Sequence, residues 1–288
     1  MSKQQHLEVQ PSGGLYSTTL DLLASPTTMA DNNEGWIQVK HSRWADRVRS
    51  ANREAANGPT LGAKPLAVDP DVVAELQKEF QAIQADLEAY FPEARLRKIL
   101  ADHILIFPNY VQDPVSKIVC FGIGCFDHPE GNWQAKRTSY CQLAALLVIA
   151  DEVAESLGKE PFKIIFQEPA FNVNDVAFIE SLGHTVVESP EGLEHMEPDT
   201  LFYGPHLYYD LYAEVLKGEL PSIFVGSCAD AWDLNTHLLP EDFPTMVAPL
   251  RKIFEEYKIF TFPEVEGGVA FHGTYICLRP PLAHQRAV

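Results

Sequence analysis

From residue 117 to residue 278, short apolar runs alternate with amphipathic stretches, and this alternation constrains the fold more than any other feature of the chain. The runs are KIVCFG at 117–122, FKIIFQ at 162–167, TVVE at 185–188, TLFY at 200–203, SIFVG at 222–226, KIFTF at 258–262 and TYICL at 274–278. Helical periodicity fits between most of them, over 138–157 (closed by Gly158), 174–182 (closed by Gly183), 207–217 and 245–256. Short strands apolar on both faces and separated by helices predict a mainly parallel sheet covered on both sides. The last two runs flank a glycine-rich stretch, 264–273, which predicts an antiparallel hairpin at one edge.

Upstream, Asp69-Pro70 reads as a helix N-cap followed by proline at the first helical position. Val72, Val73, Leu76, Phe80, Ile83, Leu87 and Tyr90 recur at helical spacing until Pro92, and a second helix is expected over about 93–104. Residues 1–35, rich in Ser, Thr, Asn and Gly, read as a mobile arm, and 36–68 as a basic, aromatic segment with a linker. Residues 69–288 are then one α/β domain with N-terminal helices at 69–104. The predicted class is α/β: a Rossmann-like three-layer sandwich with a mainly parallel sheet, an antiparallel C-terminal edge and an N-terminal helical extension.

Composition narrows the setting. Of 288 residues, 46% are hydrophobic, enough for a sizeable core. No apolar run approaches the roughly 18–20 residues that span a bilayer. The polar N-terminus lacks a secretory pattern, and five cysteines (120, 125, 141, 228, 277) form no CxxC pair. Reduced thiols and a cytoplasmic location are expected. A net charge of −18 disfavours a protein that coats nucleic acid with its whole surface. Lys40, Arg43, Arg47, Arg49 and Arg53, against Asp46 alone, nevertheless make one basic window near Trp36 and Trp44. That mixture suits RNA, by phosphate pairing and base stacking, as well as an ordinary solvated helix.

In open α/β sheets ligands bind beyond the carboxyl ends of the strands, so the strand-end segments are the candidate site. Gly122 and Gly124 follow the first strand, where glycine lets backbone approach a guest closely. Together with Glu168 after the second strand they suit an adenosyl or nucleotide pocket. The full GxGxxG is absent, however, and a helix start near residue 138 leaves no helix N-terminus for a pyrophosphate. A tight strand-to-loop turn explains the glycines equally well. His206 opens a helix after the fourth strand and is a candidate proton carrier or a helix cap. Tyr203 beside it is a candidate hydroxyl donor or a core residue. Ser227 and Cys228 end the fifth strand as candidate nucleophiles, although no GxSxG elbow is present. Asp230 and Asp233 flank Trp232, an arrangement suited to a guanidinium and also to N-capping. The histidines are scattered, so no metal site is expected. No Walker A sequence occurs.

Taken in order, KIVCFGIGCF, SYCQLAALLVIAD, FQEPAFNVND, LGHTVVE, TLFYGPHLYYDLY and SIFVGSCADAW resemble the sensitivity-to-red-light-reduced family, a eukaryotic α/β domain. Two positions depart from it: Glu168 stands where Asp is usual, and Leu207 where Cys usually follows Pro-His. Plant and yeast members are known mainly as regulators. A fungal branch that looks similar contains arginine-containing cyclodipeptide synthases, which join arginine to a second amino acid from aminoacyl-tRNA. The resemblance to that branch implies an aminoacyl-tRNA-dependent acyltransferase. Arginyl-tRNA and a second aminoacyl-tRNA would be the partners, with no cofactor. Glu168, Asp230 and Asp233 would bind guanidinium or ammonium, His206 would carry the proton, and Tyr203 would donate a hydroxyl. Ser227 or Cys228 would carry an aminoacyl group if the route is ping-pong. The 40–53 window would meet tRNA. The alternatives are a non-catalytic regulator of the same fold and an adenosyl- or nucleotide-dependent enzyme.

Overall fold

A computed structural model describes residues 67–104, 115–128, 133–232 and 239–280. The expected arm (1–35) and nearly all of the basic segment and linker (36–68) lie outside the described residues.

The first helix, α1 (Pro70–Gln84), begins as the sequence predicts: the Asp69 carboxylate accepts from the Asp71 N–H and Pro70 opens the first turn. It ends earlier than Pro92, giving way to a 3₁₀ turn over Leu87–Ala89 before α2 (Glu93–Ile104). The core then alternates: β1 (Lys117–Phe121), α3 (Trp133–Leu157), β2 (Ile165–Gln167), α4 (Val173–Ser181), β3 (Thr185–Val186), β4 (Thr200–Gly204), α5 (Tyr209–Val215) and β5 (Ile223–Ser227). Two short helices, α6 (Phe243–Met246) and α7 (Ala248–Glu256), precede β6 (Lys258–Thr261) and β7 (Thr274–Leu278).

The seven strands form one sheet in the order β3-β2-β1-β4-β5-β7-β6. β1 to β5 are parallel. β7 runs antiparallel to both β5 and β6, so the expected hairpin forms the edge. Because side chains alternate along a strand, each central strand feeds two cores. Ile118, Cys120, Leu201, Tyr203 and Val225 join the core under α1 to α4. Val119, Phe121, Phe202 and Phe224 join the core under α5 to α7. A sheet between two helical layers follows, which is the Rossmann-like three-layer arrangement.

Two helices differ from the periodicity. α3 starts at Trp133, five residues early, because its first turn (Trp133–Lys136) is not buried and carries no apolar stripe. The expected helix at 245–256 is two helices. Pro249 has no N–H to give the Thr245 carbonyl, and the chain resets at Val247 (φ −92°, ψ 0°).

Candidate functional site

The chain builds β1, β2 and β3 outward, then returns to place β4 on the other side of β1. The carboxyl ends of β1 and β4 therefore diverge at the switch point where open α/β sheets hold ligands. A cavity of about 440 Å³ opens there. Gly122, Ile123 and Gly124 form one wall, Pro205 and His206 a second, and Gln134, Ala135, Thr138, Ser139 and Gln142 of α3 a third.

The glycine turn is shaped by its surroundings. Gly122 (φ +66°) and Gly124 (φ +82°) both sit in the left-handed region. A Cβ on Gly122 would come within 2.2 Å of Leu207 Cδ2, and one on Gly124 within 2.6 Å of Ser139 Oγ. Leu207, the position that departs from the family pattern, thus packs behind the turn.

Glu168 holds this turn from the side. Its Oε2 accepts from the Gly124 N–H at 2.9 Å and its Oε1 from the Ala170 N–H at 2.9 Å. The Gly124 amide, which a bound phosphate or ribose would otherwise meet, is therefore already paired within the chain. Further back, the fully buried Asp175 carboxylate accepts from Phe126 N–H and Asp127 N–H, each at 2.8 Å, and from Asn172 N–H at 2.9 Å. Asn172 returns the capping box by accepting from the Asn174 and Asp175 amides. Asp127 Oδ2 in turn accepts from the side-chain amides of Asn172 and Asn174. Burial raises the Asp175 pKa, although three amide donors pull it the other way. The FNVND segment is thus a clamp on the loop that carries the glycines. Its Asn-x-x-Asp spacing was the signal available in the sequence.

His206 takes a left-handed backbone (φ 58°) and lines the cavity. Its Nε2 lies 2.8 Å from the His272 carbonyl oxygen. A carbonyl only accepts, so Nε2 carries the proton of this bond, and Nδ1 is the acceptor of that tautomer. Gln142 Nε2 donates to the Ala270 carbonyl at 2.9 Å. These two bonds tie the β6–β7 loop alongside the cavity.

Other predicted residues lie elsewhere. Tyr203, expected as a hydroxyl donor, is wholly buried and donates to the Gln142 carbonyl at 2.8 Å. Burial lifts its pKa well above the ordinary phenol. It therefore supports α3 from below and does not reach the guest space. Ser227 is buried and its N–H donates to the Tyr212 hydroxyl at 2.8 Å. That hydroxyl donates to the Gly204 carbonyl at 2.6 Å, stapling the ends of β4 and β5. Cys228 is half-buried, with the Tyr275 hydroxyl bonded to its sulfur. Neither Ser227 nor Cys228 lines the cavity. Asp230, expected to hold a guanidinium of the substrate, pairs instead with Arg251 of α7 at 3.2 Å, in an exposed bridge. Asp233 lies outside the described residues, as do Lys40, Arg43, Arg47, Arg49 and Arg53. Of the predicted set, Gly122, Gly124 and His206 meet at one cavity, with Glu168 bonded to its rim.

A second cavity, of about 620 Å³, adjoins the first and shares Gln134 and Thr138 with it. Tyr90, Trp133, Arg137 and Cys141 line it together with the 264–271 loop. Arg137 sets its guanidinium 4.9 Å from the centre of the Tyr90 ring. Burial pushes the Cys141 thiol up to about 11, so it is not a thiolate at neutral pH. Nothing in the sequence marks the 264–271 loop as part of a site. No helix among the described residues is long and apolar enough to cross a membrane. No group of three or more His, Cys, Asp or Glu among them is arranged to hold a metal ion.

The SRR1 domain matches the chain over residues 77–278. No curated protein matches it. Among solved structures, the plantazolicin methyltransferase BpumL in complex with SAH aligns with 82% of this chain and 98% of its own, at 8% identity and a TM-score of 0.30.

Proposed function

The chain belongs to the SRR1 domain family, and from that premise we propose that it is an aminoacyl-tRNA-dependent acyltransferase that forms an arginine-containing cyclic dipeptide. The observation that carries the reading is His206. Its Nε2–H is fixed by a carbonyl, and its Nδ1 is left as an acceptor at the mouth of an open switch-point cavity. That is the tautomer a general base acting through Nδ1 needs.

The chemistry is balanced without an energy source. An aminoacyl ester is already activated. His206 Nδ1 accepts a proton from the α-ammonium of one aminoacyl group. The freed amine attacks the ester carbonyl carbon of the other, a C–N bond forms, and the carbonyl oxygen becomes an oxyanion. Thr138 and Gln134 of α3 line the cavity and are the proposed donors to that oxyanion. Collapse breaks the ester C–O bond, the imidazolium gives its proton to the ribose oxygen of the departing tRNA, and the new amide nitrogen sheds its second N–H proton to solvent. A second aminolysis within the dipeptidyl ester closes the six-membered ring. Ser227 and Cys228 stand off the cavity, which favours direct transfer over a covalent aminoacyl enzyme. The basic 40–53 window is the proposed tRNA contact, within a cytoplasmic enzyme.

One observation favours a second reading, a non-catalytic regulator that binds a ligand or partner: Glu168 and Asp230 are both paired within the chain. A single experiment separates the two. Purified protein is incubated with arginyl-tRNA and a panel of other aminoacyl-tRNAs, and products are sought by mass spectrometry. A cyclic dipeptide containing arginine is expected, with the rate reduced about 10²-fold or more in His206→Ala. No cyclic product across the panel would sink the enzyme reading and leave the regulator.

A further inference from the structure

We infer that the second cavity is a subsite for a cationic side chain with several N–H donors, and that Glu264 is its acceptor. Glu264 lies on the β6–β7 loop and lines this cavity. Its Oε2 is buried and has no hydrogen-bond partner among the described residues. Its Oε1 lies 3.9 Å from His272 Nδ1, beyond hydrogen-bond distance. Leaving a buried carboxylate oxygen unpaired is costly, so a protein that keeps one beside an open cavity gains when a guest supplies the donor.

The position argues the same way. His272 bridges the two cavities: its carbonyl holds His206 and its ring faces Glu264. Gln134 and Thr138 border both spaces. A guest with its reacting group at His206 therefore extends its tail past α3 toward Glu264. Arg137 is on the same wall, but it stacks on Tyr90 and forms no ion pair with Glu264 among the described residues, which leaves the His272 ring at 3.9 Å as the carboxylate's cationic partner there, and only when that ring is protonated. Arg137 also disfavours a bare cation and favours one that arrives with acyl or phosphate oxygens nearby. Identifying that cation as the guanidinium of an arginyl group rests on the proposed reaction; the subsite itself does not.

The test is direct binding, without tRNA. Wild-type protein, Glu264→Gln and Asp230→Asn are titrated with arginine methyl ester and with citrulline methyl ester, its uncharged isostere. Wild type is expected to prefer arginine about tenfold or more, as one charge-assisted fork would give. Glu264→Gln is expected to erase that preference, and Asp230→Asn to keep it. An unchanged preference in Glu264→Gln, or none in wild type, overturns the inference. Should Glu264→Gln fail to fold, Glu264→Asp, which retracts the carboxylate by one methylene, must weaken the arginine ester alone; equal weakening of both esters overturns it. If the tRNA assay gives no product while this preference depends on Glu264, the reaction falls and the subsite stands. A cyclic product formed equally well by Glu264→Gln overturns the subsite and leaves the reaction standing.

Discussion

Asp175→Asn probes the clamp beneath the glycine turn. The carboxylate accepts three buried backbone N–H groups, two on Oδ1 and one on Oδ2. Asparagine keeps its carbonyl oxygen on Phe126 and Asp127, the arrangement that satisfies two amides. Its NH₂ group then faces the Asn172 N–H, donor against donor. A flipped amide is worse, because two donors lose their acceptor. The lost bond to a charged acceptor and the stranded amide together cost roughly 2–4 kcal/mol. Part of that is offset, because burial penalises the ionised carboxylate, as its raised pKa records. The net expectation is a loss of about 2 kcal/mol. Asp175→Ala strands all three amides and loses about 4–6 kcal/mol, comparable with the whole stability of many domains, about 5–15 kcal/mol. Urea unfolding measures the loss as a lower midpoint at unchanged slope. Native-state hydrogen exchange should show the Phe126, Asp127 and Asn172 amides opening sooner. An Asp175→Asn protein within about 0.5 kcal/mol of wild type, too small a loss for a stranded buried donor, with those amides exchanging as before, would refute the reasoning.

Two further perturbations follow from the same geometry. Gly122→Ala combines a left-handed backbone with a Cβ placed 2.2 Å from Leu207 Cδ2. It should lose about 2–4 kcal/mol, read as a melting temperature lower by roughly 5–15 °C; an unchanged melt would contradict the close approach. His184 is held below the ordinary histidine pKa by burial first and by Lys163 second, and its Nδ1 accepts from the Ile164 N–H at 3.4 Å. Between that lowered value and 6.5 the unfolded chain binds the proton that the native protein refuses. Stability is therefore full above pH 6.5, falls as pH drops through this window, and then levels off. Denaturation at a series of pH values should show this slope in wild type and a flatter one in His184→Gln.

The sheet was legible because its signal is local: each strand is a short apolar run whose alternate residues feed the two cores. The hairpin edge was legible from the glycine-rich connection. The early start of α3 was not, since Trp133 to Lys136 pack little and so show no period. The split at Val247 was legible in principle from Pro249, whose missing N–H breaks the i−4 ladder. At the site, strand ends pointed to Gly122, Gly124 and His206 because topology alone brings them together. The state of Asp230 depended on Arg251, which only the packing of α7 brings near. Tyr203 failed as a surface donor for a similar reason: strand alternation turns it toward α3, where a carbonyl takes its hydroxyl. Glu264 gave no signal, because a loop between two edge strands carries no pattern that says which cavity it borders.

In the proposed reaction a guest lies between the Gly122–Gly124 turn and His206. The most direct measurement is the structure of the protein with a non-hydrolysable amide analogue of arginyl-adenosine. The acyl carbon is expected within reach of His206 Nδ1, against the α3 wall, with the side chain running toward Glu264. An analogue found instead at the β5 end beside Asp230, leaving the switch-point cavity empty, would contradict it.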